Sequence, residues 1–411
     1  MDATTALVDA GVVIGLVATA AALIHVDRRS PRLWSATVTP LGSIIGSGFL
    51  VVTPLLAATV GPWAPLAMAG IVATAWAVGG VIRFVIVNVE PRLADPTCGR
   101  ALADLERLSR LVLGAAYVVS VAFYLRLMAA FVLRPFEVGD TGARILTTVV
   151  LVAIGAVGWL RGLHGLELVE RWAVGTKLTI VGGLLVSLAV LDASDPAAVV
   201  EAYRAPAPGL DAWTLTRVLA GMLLVVQGFE TSRYLDFHYD ADLRVRSMRL
   251  AQALSAVVYV AFVGLGVRTF GDLPAGLDET AIIDLARDVS VVLVPLLVVA
   301  AVASQLSAGI ADTAGGGEMI TGARRGHPDA GVGYVVVVGG AIVLTWLSDV
   351  FAIISLASRA FALYYLLQTI AALVVAATSP SLPRRYPRLV GLALVALLMA
   401  FVVGFARPAG A

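Results

Sequence analysis

Thr39-Pro40-Leu41-Gly42-Ser43-Ile44-Ile45-Gly46-Ser47-Gly48-Phe49-Leu50 sits inside an apolar run over 36–60 that also carries Pro54. Glycine has no Cβ and enters non-helical conformations freely, so Gly42, Gly46 and Gly48 allow the chain to unwind here. In lipid, unpaired backbone groups are costly and need partners within the protein. An unwound turn presents free N–H groups, and the half-helix after it aims its positive dipole end at an anion. The same glycines support a second reading, because Gly42 and Gly46 have the spacing of a small-residue helix-packing seam. Taken alone, the segment leaves both open.

The rest of the chain places that run in a membrane. Of 411 residues, 59% are hydrophobic and 14% charged, against about 45–50% and 25% in soluble domains. The formal net charge of +1 gives no electrostatic basis for nucleic-acid binding. The single cysteine, Cys98, excludes an internal disulfide and cysteine-clustered metal sites. His25, His164, His238 and His327 all fall near expected loops, which speaks against a helix-bound haem or imidazole metal cage.

A bilayer core about 30 Å thick needs roughly 20 apolar residues per helix. Runs of that kind lie near 6–26, 36–60, 62–89, 108–133, 144–160, 168–191, 213–232, 248–268, 282–311, 331–348, 350–378 and 388–406, about 12 spans in all. The first lacks the basic start of an export signal and is read as a true span. Alternate loops after the first, third, fifth, seventh, ninth and eleventh runs carry 18 arginines, including Arg28, Arg92, Arg246 and Arg324. The opposite set holds seven. By the positive-inside rule the basic loops are cytoplasmic and both termini are expected outside a cell (inner or plasma) membrane. Connections of about twenty residues at most leave no extramembrane catalytic domain, so function is expected within the bundle.

A second interruption falls in the seventh run, at Val226-Gln227-Gly228-Phe229-Glu230-Thr231-Ser232-Arg233. Ionisable groups inside a membrane are functional candidates; the plainer reading is that the helix ends near Gln227. The two interruptions lie five spans apart and so run in opposite directions, as in an inverted repeat with a midplane site between two discontinuous helices.

Ile44-Ile45-Gly46-Ser47-Gly48-Phe49 resembles the first-helix signature of the amino acid–polyamine–organocation (APC) transporter superfamily. Gly228-Phe229-Glu230 resembles that family's sixth-helix motif, and the stretch from Gly317 to Pro328 is similar to the loop after its eighth helix. The resemblance covers roughly 36–378. It implies an all-α integral membrane protein with a leucine-transporter-like core of 5+5 helices in inverted repeat. On that basis the repeats are 36–191 and 192–378, preceded by an extra helix and basic loop over 1–35 and followed by one helix over 379–411. The chain departs from the family in that extra first span, in the single span after the core, and in its second core helix. That helix carries Gly79-Gly80, Arg83 and Asn88-Val89-Glu90-Pro91 in place of a Tyr-x-Glu-Leu motif.

Lys177 is the only lysine among 29 basic residues, and it lies inside an apolar helix. A lysine can lose its proton when desolvated, whereas arginine stays charged; alternatively the side chain snorkels to the interface. In sodium-independent members of the family a lysine on core helix 5 occupies the place of a sodium ion. The resemblance puts Lys177 there, with Ser304 and Ser307 as the hydroxyls of that site. Arg83 and Arg126 are expected to snorkel, and Arg359 to need a partner.

The expected function is secondary active transport of a small amino acid or related amine by alternating access, with proton coupling or sodium-independent exchange. Backbone N–H groups of Gly46, Ser47 and Gly48 would hold a carboxylate. Carbonyls around Ile44, Ile45, Val226 and Gln227 would receive the amino group, with Gly228, Phe229 and Glu230 completing the pocket. The expected partners are that small molecule, the lipid bilayer and protons; no catalytic residue, metal site or cofactor is assigned. Rival readings are an inorganic or organic cation as cargo on the same fold, a membrane-embedded lipid-modifying enzyme, and a non-transporting sensor.

Overall fold

In the computed structural model, residues 3–136, 138–161, 167–235, 239–272, 280–321, 330–380 and 382–407 are described, and helices make up nearly all of them. In order these are α1 (Ala3–Arg29), α2 (Pro31–Ile44), α3 (Ser47–Val60), α4 (Ala64–Phe84), α5 (Glu90–Leu93) and α6 (Arg100–Leu133). Next come α7 (Asp140–Arg161), α8 (Glu167–Ser194), α9 (Pro196–Arg204), α10 (Ala212–Gly221) and α11 (Ala241–Gly266). The last are α12 (Ile282–Val289), α13 (Leu293–Thr321), α14 (Ala330–Leu347), α15 (Val350–Thr378) and α16 (Arg385–Phe405). A π-helical turn over Val85–Val89 joins α4 to α5, and 3₁₀ turns over Leu223–Val226 and Phe229–Leu235 follow α10.

Among the described residues, nine helical stretches are long and apolar enough to cross a membrane. The difference from twelve apolar runs falls at three places. Gly46 splits α2 from α3, so that α3 reads through into α4 as one stretch over Val51–Leu93. The seventh run yields only the ten residues of α10 before its helix is lost. The tenth is counted as a short apolar helix, Gly331–Leu347. The ninth run is also divided, because Ser290 turns extended (φ −163°) between α12 and α13.

Aspartate side chains start several helices by accepting from otherwise orphaned N–H groups. Asp211 accepts from Trp213 and Thr214 at α10, Asp240 from Leu243 at α11, and Asp349 from Ala352 at α15. The core runs along α6, which packs against α13, α14 and α15. His25 lies within α1, not in a loop; the other three histidines are outside the described residues.

The extra helix α1 lies along α8 at very close range. A Cβ on Gly15 would stand 2.6 Å from the Gly182 carbonyl oxygen, and one on Gly182 would stand 1.9 Å from Thr19 Oγ1. Small residues let two backbones approach and gain dispersion contacts where lipid supplies no hydrophobic drive. Ser290 Oγ donates to Asp9 Oδ1 at 2.5 Å, tying α1 to the α12–α13 junction as well. Its opposite face, with Leu7, Val13 and Val17, is exposed.

Overpacking at this seam separates the helices at a cost of about 1–3 kcal/mol. Gly182→Val is therefore expected to lower the apparent melting temperature in detergent. Gly175→Ala, on the same helix with nothing within 4 Å of the added Cβ, serves as the neutral control.

Candidate functional site

The two interruptions touch. Gly46, at φ −104° and ψ −133°, breaks the first helix after Ile45, and Gly228, at φ +117°, breaks the second. A Cβ on Gly48 would lie 2.2 Å from the Val225 carbonyl oxygen. One on Gly228 would lie 2.5 Å from Ser43 Cβ and 2.9 Å from the Ile44 nitrogen. Each break is thus filled by the backbone of the other, and only glycine fits at either crossing.

Unwinding leaves carbonyls without helical partners, and side chains from neighbouring helices satisfy them. The Tyr259 hydroxyl on α11 shares its proton between the carbonyls of Ile44 (2.9 Å) and Val225 (2.7 Å), one from each break. Lys177 Nζ donates to the Gly42 carbonyl at 2.7 Å and to Ser304 Oγ at 3.1 Å. Ser358 Oγ on α15 donates to the Gly221 carbonyl at 2.5 Å, where α10 ends. Tyr259 and Ser358 did not stand out in the sequence: each is a lone hydroxyl in an apolar helix, and its role depends on a carbonyl far away in the chain. Tyr259 also occupies the Ile44 carbonyl, so that atom is not open to a ligand in this conformation.

Lys177 is buried and turns inward to the break. Snorkelling to the interface is therefore not its role. A small cavity lies beside it, lined by Gly46, Phe49, Lys177, Val181, Leu297, Ala300 and Ser304. Ser307, one turn beyond Ser304, is half-buried, and among the described residues no hydrogen bond links it to Lys177. The Ser47 side chain is outside those described.

Around the second break lie buried polar side chains. Glu230 is 1% exposed, which removes the reading that the helix ends at the membrane surface there. Its Oε2 accepts from Tyr365 hydroxyl at 2.6 Å and from the Gly228 N–H at 3.0 Å. Phe229 stacks on the Tyr365 ring, with centroids 5.3 Å apart. Gln227 Nε2 reaches the Tyr124 hydroxyl at 3.4 Å, and Ser120 donates to Asp312. Among the described residues, Glu230 Oε1, Gln227 Oε1 and both amide atoms of Gln305 are buried without a hydrogen-bond partner. Val226 and Ile45 are buried beside them. Three of these unmet atoms are acceptors, one of them on a buried carboxylate, and Gln305 Nε2 is a donor.

At the basic end, a network of charges joins the second break to its surroundings. Arg233 bonds to Glu106 on α6 at 2.9 Å and to Glu90 on α5 at 3.3 Å. Arg244 on α11 reaches Glu90 at 2.7 Å and the Arg233 carbonyl at 2.8 Å. Gln368 on α15 donates to Ser109 Oγ at 2.5 Å and to Glu106 at 3.3 Å.

The remaining intramembrane arginines divide. Arg126 does not reach solvent but pairs with Asp140 at the start of α7. Arg359 finds its partner in the Ala406 carbonyl, at the end of α16. Arg83 turns back along α4 instead of snorkelling, because its guanidinium donates to the Trp76 carbonyl at 3.2 Å and to Gln252. The loop resembling the family's eighth-helix motif falls largely outside the described residues, Arg324 and Arg325 included.

Two substitutions probe these arrangements. Tyr259→Phe strands two buried carbonyls, and the apparent stability is expected to fall by about 1–3 kcal/mol in thermal denaturation. Arg233→Gln leaves Glu106 with Arg110, whose side chain is 57% exposed; a loss of about 3 kcal/mol is expected. Adding Glu106→Gln to that variant should recover part of it, since the buried charge is then gone. A double-variant loss equal to the sum of the losses of Arg233→Gln and Glu106→Gln alone would mean that the two side chains are not coupled.

A family model described as APC superfamily transporter matches residues 27–406. An uncharacterized protein of Aquifex aeolicus (strain VF5) is 44% identical over 349 residues, covering 84% of each chain. Among solved structures, a Na+-coupled sialic acid symporter in a substrate-bound outward-open state aligns over 98% of both chains, at TM-score 0.54 and 14% identity. That likeness is one of fold. The glycine crossing and the family match agree, and the chain belongs to the APC superfamily of membrane transporters.

Proposed function

We propose that the protein is a secondary active transporter that moves a small amino acid or related amine by alternating access, without sodium. The observation that carries this is the position of Lys177 Nζ, on the Gly42 carbonyl of the first break and on Ser304. A fixed ammonium between these oxygens supplies the positive charge that a bound sodium ion would otherwise provide. Transport is then proton-coupled or a sodium-independent exchange.

In this proposal the core comprises two inverted repeats, 36–191 and 192–378, with α1 before them and α16 after. The basic loops face the cytoplasm and both termini lie outside. The substrate sits at the crossing of the two breaks. N–H groups at Gly46, Ser47 and Gly48 hold its carboxylate, at the start of half-helix α3. Its ammonium lies toward Glu230 Oε1 and Gln227 Oε1, whose unmet acceptor capacity calls for a donor. The Arg233–Glu106 pair closes the cytoplasmic end, and its rupture accompanies inward opening.

The same acceptors favour a second reading, in which the cargo is a cation without a carboxylate. A thermal-shift screen of the purified protein against amino acids, amines and inorganic cations, with and without sodium, separates the two. A ligand at about 100 times its Kd stabilises the folded state by about 2.7 kcal/mol. Stabilisation by an amino acid or amine, unchanged by sodium, is the expected result. Stabilisation by an inorganic cation alone would overturn the assignment of Lys177 and put the cation reading first.

A further inference from the structure

We propose that the seam between α4 and α11 is a binding site for the headgroup of an anionic phospholipid from the cytoplasmic leaflet, held by Arg83 and Arg249. The two arginines stand at the same lip of that seam. Gln252 marks where the helices meet, since its amide lies over Gly79 and its Nε2 donates to the Ala75 carbonyl at 2.8 Å. Arg249 is one turn before Gln252 on α11, and Arg83 one turn after Gly79 on α4, so both project near the seam.

Neither arginine meets a carboxylate among the described residues. Arg83 is 9% exposed, and its acceptors are neutral: Gln252 Oε1 and the Trp76 carbonyl. The Trp76 ring covers it on one side, 4.9 Å from the guanidinium carbon. Arg249 is exposed and makes no ion pair among the described residues. Arg246, its neighbour one turn away, is by contrast neutralised by Asp242 at 2.9 Å. Two like charges left together inside a membrane protein call for an anion.

The surroundings select a lipid over a free anion. Trp76 on α4, seven residues before Arg83, and Val257 on α11, eight residues after Arg249, are exposed and apolar. Both lie on the membrane-interior side of the two arginines, where the acyl chains of a lipid held by its headgroup would run. Basic pockets between transmembrane helices on the cytoplasmic side suit anionic headgroups in this way. The choice of leaflet follows the orientation proposed above; the binding itself does not depend on it, nor on the substrate.

Native mass spectrometry of the full chain, released from micelles doped with equal phosphatidylglycerol and phosphatidylcholine, tests the site. Wild type should retain phosphatidylglycerol preferentially, and Arg249→Gln should lower that retention about fivefold, the factor one surface cation contributes. Arg249 is exposed, so folding is not at risk; Arg83→Gln should lower retention further. Arg246→Gln is the control and should leave retention unchanged. Equal retention of both lipids, no effect of Arg249→Gln, or an equal effect of Arg246→Gln would each overturn the proposal. So would inorganic phosphate displacing phosphatidylglycerol at millimolar concentration, since the site would then hold a free anion without using the acyl chains.

Discussion

Backbone polar groups removed from a helix inside a bilayer have no water to turn to, and each must be met by another part of the protein. This chain breaks two helices and sets the breaks against one another, glycine on backbone, at Gly48–Val225 and Gly228–Ser43. Much of the surrounding arrangement follows from that demand. Tyr259 is placed to serve a carbonyl from each break, Lys177 to serve Gly42, and Ser358 to serve Gly221. The helices that bring these side chains, α11, α8 and α15, are thereby bound to the crossing by polar contacts as well as by packing.

Alternating access, as proposed, requires such a crossing to move. The hydrogen bonds to freed carbonyls are few and come from single side chains, so they can exchange partners without unfolding a whole helix. The charged cluster at the basic end is different in kind. Arg233, Glu106 and Glu90 lie on three separate elements, and breaking one pair leaves a buried charge. Under the proposed alternating access, an end closed by such pairs would open only when the whole cluster rearranges, making the transition a discrete step.

The breaks themselves were legible in the sequence because glycine clusters and a buried glutamate are conspicuous in apolar runs. The lone lysine was legible for the same reason. What the sequence withheld were the partners. Tyr259 lies 215 residues from Ile44, and Arg359 reaches the carbonyl of Ala406; nothing local to either residue foretells such pairings. Direction was also lost. Arg83 was expected to extend to the interface, but a side chain on a helix leans toward its N-terminus. On α4 that lean leads it along the helix to Trp76 and across to Gln252. The span count blurred at the interruptions because a broken helix has the composition of a span without its continuous geometry.

The positions of the unmet polar atoms say most about the proposed cargo. Glu230 Oε1, Gln227 Oε1 and both amide atoms of Gln305 are buried and unpaired among the described residues. Lys177, by contrast, has partners, and the walls of the cavity beside it are largely apolar. Buried acceptors left unpaired each cost about 1–3 kcal/mol, so a ligand that donates hydrogen bonds recovers that energy when it enters. A ligand offering only acceptors could meet the Gln305 Nε2 donor but would leave the three unmet acceptors in place. In the proposed pose the donor end of the ligand therefore faces Glu230, and its carboxylate turns toward the N–H groups that begin α3. An amino acid meets both demands, whereas a simple amine meets only the first.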